Sequence, residues 1–130
     1  MEILSILVAA AASWVFGAVW YMTLSRPWLK ASGIKCDANG KPEGGSALPY
    51  LLSALCMLIV AGMMRHVFAS AGVDAFGAGL LGGLGIGSFF IAPWIMINNA
   101  YAMRPFTLTL IDGGYAVFGC GLIGAILTLF

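Results

Sequence analysis

Of the 130 residues, 62% are hydrophobic and only 8% are charged, and the net charge is +1. A soluble domain covers its surface with far more charge, about a quarter of its residues, so a water-facing globule is excluded. The near-neutral balance also gives no reason to expect nucleic acid as a partner. The mean hydropathy of +1.01 describes a chain whose outer surface meets lipid.

Four apolar runs are long enough to cross a bilayer core, which takes roughly 20 residues as a helix. They predict a single domain over 1–130. It is an all-α integral membrane protein with four transmembrane helices in an up-down bundle. The first span is expected over 3–24. Glu2 stands where a secretory signal has its basic region, and the run is longer than a signal's apolar core, so the span is expected to be retained. Ala9, Ser13 and Gly17 recur every fourth residue, a small-residue row that lets another helix approach closely. Trp20, Tyr21, Arg26, Pro27, Trp28 and Lys30 follow. They read as interfacial anchors, because Trp and Tyr favour the headgroup level.

Residues 25–46 are expected as one long cytoplasmic loop; from Ala31 onward it is rich in Gly, Pro, Asn and Asp, the residues of turns. The second span, 47–68, has Pro49 in its first turn, where a missing N–H is harmless. Arg65 and His66 read as boundary residues at its far end. In the third span, 76–100, Gly79, Gly83 and Gly87 form a double GxxxG row. Projected at about 100° per residue, that seam runs on through Trp94 and Asn98 to Tyr101. The Asn98 amide is therefore expected on the most tightly packed face. Pro93 is predicted to kink the helix. The Gly83-Leu-Gly-Ile-Gly87 run is no nucleotide loop, since it lacks the strand–turn–helix context. The fourth span, 107–130, carries Asp112 less than two turns inside, with Tyr115 and Gly119 on the same face.

The three cysteines are not closely spaced and imply no disulfide framework. One histidine among scattered carboxylates makes no zinc site. No cofactor is expected. Arg26, Lys30, Lys35, Lys41 and Arg104 fall on one side of the membrane and only Arg65 on the other. Positive charge favours the cytoplasm, which predicts a bacterial inner-membrane protein with both termini outside.

Weak internal echoes suggest an old duplication, a parallel repeat of two hairpins. Trp20-x-Met22 and Arg26-Pro-Trp28 are matched by Trp94-x-Met96 and Arg104-Pro-Phe106. The small residues leading into Trp20-Tyr21, the Arg-Pro-Trp that follows and the late Ile111-Asp-Gly-Gly-Tyr115 with its glycine-rich tail resemble the bacterial domain-of-unknown-function family 1761. The resemblance covers nearly the whole chain. It implies a small four-helix membrane protein and no particular activity.

An up-down arrangement gathers Asn98, Asn99, Arg104, Asp112, Tyr115 and Arg26 into one polar layer. A carboxylate within an apolar span is costly and marks a functional site whose partner must be named. The expected partner of Asp112 is Arg104 or Arg26. With no nucleophile–base pair and no phosphate loop, an enzyme is not expected. The small-residue seams favour a non-catalytic protein acting through helix–helix contacts, as a homo-oligomer or an accessory subunit of a larger membrane complex such as a bioenergetic one. The alternatives are an oligomeric ion, proton or solute transporter using Asp112, and a lipid- or pigment-binding protein. The expected partners are the bilayer, copies of the chain and other membrane subunits.

Overall fold

The computed structural model describes residues 2–130. The chain forms α1 (Glu2–Thr23), α2 (Ser25–Ser32), α3 (Leu48–Ala71), α4 (Phe76–Ile86), a π-helical turn (Gly87–Ile91), α5 (Ala92–Tyr101) and α6 (Phe106–Leu127). Because α4, the π turn and α5 run on as one span over Phe76–Tyr101, four helices among the described residues are long and apolar enough to cross a membrane. This is an all-α membrane bundle.

α6 is its axis. Half of the most apolar window of α6 is buried, against 28% or less in the other three spans. Two packed faces of α6 make this possible. On one side, Ala116, Cys120 and Gly124 present backbone directly to Gly87, Gly83 and Gly79 of the α4 span. Any side chain at those three glycines would run into α6 backbone or Thr128, so the helices meet at a distance only glycine permits. On the other side, Tyr115 and Gly119 receive α1, whose Ser5, Ala9, Ala10, Ser13 and Gly17 are all buried. The hydroxyl end of the Tyr115 ring lies against Gly17, where an added Cβ would come within 2.6 Å of its Cζ. The seams read from the sequence are thus spent between helices of the same chain.

α3 packs on α1 and meets α6 through Met57, whose sulfur lies 3.4 Å from the Tyr115 hydroxyl, and through Ala61, Met64 and Phe68, which share one buried cluster with Cys120, Ile123 and Leu127. Near its start it is tied to α1 by Trp14 Nε1 donating to Ser53 Oγ at 2.9 Å. Gly72, at φ 71°, takes the left-handed conformation that ends α3.

Two expectations need correction. Residues 25–46 are not wholly loop, because Ser25–Ser32 forms α2, which ends at Gly33 with φ 73°. Arg26 and Lys30 are exposed while Trp28 and Leu29 are half-buried and Ala31 and Ser32 fully buried, so α2 is a short amphipathic helix. The second correction concerns the seam of the third span, which does not continue through Trp94, Asn98 and Tyr101. The Ala92 N–H bonds to the Gly87 carbonyl, five residues back instead of four. Pro93 cannot donate, and its ring would clash with the carbonyl four residues earlier; the wide turn just before it relieves that clash. The extra residue advances the register by one. The inward face therefore passes to Ile95 and Asn99, leaving Trp94 67% and Tyr101 86% exposed and Asn98 outward as well.

The echoed motifs also occupy unlike places. Arg26-Pro-Trp28 lies in a helix with no counterpart in the second half, whereas Arg104-Pro-Phe106 forms the turn into α6. Trp20 is half-buried where Trp94 faces out.

Candidate functional site

The polar residues meet at one end of α6. Asp112 Oδ1 accepts two hydrogen bonds, from the Tyr21 hydroxyl at 2.7 Å and from Trp28 Nε1 at 3.0 Å. Tyr21 comes from the last turn of α1 and Trp28 from the inner face of α2, so three helices converge on one oxygen atom. Trp20 Nε1 donates to the Ile111 carbonyl at 2.9 Å, and its ring fills the space over Gly114. Tyr115 donates to the Ser13 carbonyl at 3.0 Å. Its ring meets that of Tyr21 edge-on, with centroids 5.5 Å apart, and Tyr21 meets Trp28 the same way at 5.8 Å. Trp20, Tyr21 and Trp28, expected as interfacial anchors, instead turn inward and build the site.

Neither arginine pairs with Asp112. Arg104 Nη1 donates to the Ser32 carbonyl at the end of α2, where an unpaired helix carbonyl and the negative end of the helix dipole both favour a cation. The left-handed Met103, at φ 56°, turns the chain at the end of α5 just before Arg104. Arg26 is on the exposed side of α2. Among the described residues the one ion pair is Arg65 with Glu2, at 3.6 Å, near the other end of the bundle. Arg65 also caps α6 through the Leu127 carbonyl at 3.1 Å, which makes it more than a boundary residue. Asn99 bonds Thr109 at 3.1 Å, joining α5 to α6 beside the site, while Asn98 takes no part.

Between α3 and the π turn with α5, a cleft of about 370 Å³ opens beside the polar knot. Its floor is α6, from Asp112 and Tyr115 through Gly119 to Ile123. Met57 and Val60 of α3 form one wall, Ile91 and Ile95 of the π turn and α5 the other, and Ser13 and Tyr21 of α1 close it. The cleft is thus aliphatic along its length and polar at Asp112, Tyr21 and Tyr115. Both sulfur contacts of Met57, from Ser13 Oγ at 3.5 Å and Tyr115 Oη at 3.4 Å, lie at its edge.

Sequence reasoning found Asp112 and Tyr115 but missed Tyr21 and Trp28 as the partners of the carboxylate. The available signal was Ser25-Arg-Pro27, a helix restart that brings an inward Trp28 back over the end of α1.

Helices, hydropathy and site together define a small polytopic membrane protein in which a carboxylate well inside an apolar span is held by aromatic donors. The chain matches the family described as a protein of unknown function, DUF1761, over residues 4–128, and belongs to it. No curated protein matches it, and no solved structure does.

Proposed function

We propose that the chain is a non-catalytic protein of the bacterial inner membrane, both termini outside the cytoplasm, that takes a lipophilic small molecule from the bilayer into the cleft between α3 and α5. The observation that carries this reading is the cleft itself. Its volume falls in the range of small-molecule sites, roughly 300–1,000 Å³, and it combines apolar walls with a few convergent polar groups as such sites do. Its walls belong to two different spans, so a molecule dissolved in the membrane can enter without crossing water. The reading through contacts with other subunits drew its support from the small-residue seams, and those seams are occupied within the chain.

Native mass spectrometry of the protein released from mild detergent tests the proposal. Wild type is expected to carry a bound small molecule. Val60→Trp, which fills the cleft from the α3 side, is expected to fold with the same helix content and lose it. An empty wild-type particle, or a molecule retained by Val60→Trp, overturns the reading.

A further inference from the structure

We infer that the molecule held in the cleft bears a cationic, hydrogen-bond-donating head of the alkylammonium type, paired with Asp112. This deepens the proposal above and rests on it. Among the described residues, Asp112 lacks a counter-charge within the bundle. Both donors to Asp112 are neutral side chains, both fall on Oδ1, and Oδ2 accepts from no described residue. Arg104 is committed to the end of α2, Arg26 faces outward, and Arg65 sits with Glu2 near the opposite end. A carboxylate inside a span calls for a partner, and a charge left unpaired away from water is costly. The protein supplies dipoles here but no cation.

The rest of the polar end points the same way. The Tyr21 hydrogen is spent on Asp112 and the Tyr115 hydrogen on the Ser13 carbonyl. The Trp28 N–H is spent on Asp112, and the Trp20 N–H on Ile111. A phosphate, carboxylate or carbonyl head would find no free donor among these groups, and the two anions would also face a like charge. An ammonium head finds Oδ2 of Asp112, which lines the cleft together with Tyr21 and Tyr115. Behind the head, Val60, Ile91, Ile95 and Ile123 suit a hydrocarbon tail.

The test compares three probes with one tail, dodecylamine, dodecanol and dodecanoate, titrated against wild type, Val60→Trp and Asp112→Asn, with occupancy read by native mass spectrometry. Wild type is expected to bind the amine about tenfold or more tighter than the alcohol, a difference of about 1.4 kcal/mol, and dodecanoate weakest. Asp112→Asn is expected to bring amine and alcohol level. The ranking on wild type decides the matter even if Asp112→Asn misfolds. If alcohol or dodecanoate binds wild type as tightly as the amine and Val60→Trp blocks all three, the head assignment fails and the cleft reading stands. If none binds, or Val60→Trp changes nothing, both fail.

Discussion

The Tyr21 hydroxyl donates to Asp112 Oδ1 across 2.7 Å, in a bundle whose arginines all point elsewhere. Trp28 donates to the same oxygen from α2, so that one carboxylate pins both the end of α1 and the short helix after it. Trp28→Phe keeps an aromatic side chain, though a smaller one, and deletes the donor. With a hydrogen bond worth on the order of 1 kcal/mol removed, amide hydrogen exchange over residues 25–33 is expected to rise about fivefold. Exchange in α4 is expected to stay as it was. Unchanged exchange in α2 would mean that Arg104 and the burial of Ala31 and Ser32 hold this helix unaided.

Glycines in one span should respond in opposite ways to the same substitution. Gly83 faces the backbone of Cys120 and Gly121, whereas nothing lies within 4 Å of where a Cβ would stand at Gly85. Gly83→Ala must push α4 off α6, and a loss of about 2 kcal/mol or more is expected, as for an overpacked core. Gly85→Ala should be neutral or stabilising by up to about 1 kcal/mol, the helix propensity difference. Unfolding in mixed micelles measures both. Equal effects would place the α4–α6 contact on a different face.

The π turn makes its own prediction. In a variant whose native cysteines are alanine, a nitroxide attached at Asn98→Cys should be mobile and accessible to oxygen from the lipid. The same label at Asn99→Cys should be immobilised between α5 and α6, where Asn99 bonds Thr109. The reverse ranking would indicate an unbroken α-helix from Phe76 to Tyr101.

The architecture was legible in the sequence because run length and apolarity are enough to define spans in lipid. The rows at Ala9, Ser13 and Gly17 and at Gly79, Gly83 and Gly87 were legible too, since spacing alone marks a face. Asn98 was misplaced because projection at constant pitch carries the seam past Pro93 unchanged, and a single inserted residue moves every later side chain to a new face. Asp112 was found, but its partner was sought among the charged residues. Charge complementarity ranks Arg104 and Arg26 first. What removes them is local: an arginine next to a helix C-terminus is drawn to its free carbonyls, and an arginine on the outer face of an amphipathic helix points away from the bundle. Neither effect can be read before α2 is known to exist.

The central claim is that Asp112 is held by neutral aromatic donors and has no cation of its own. Double-mutant cycles in the folded, detergent-solubilised protein test it most directly, combining Asp112→Asn with Tyr21→Phe, Trp28→Phe, Arg26→Gln and Arg104→Gln in turn. Coupling of about 1 kcal/mol is expected with Tyr21 and with Trp28, and none beyond error with either arginine. Coupling of that size with Arg26 or Arg104, and none with the aromatic pair, would contradict the account.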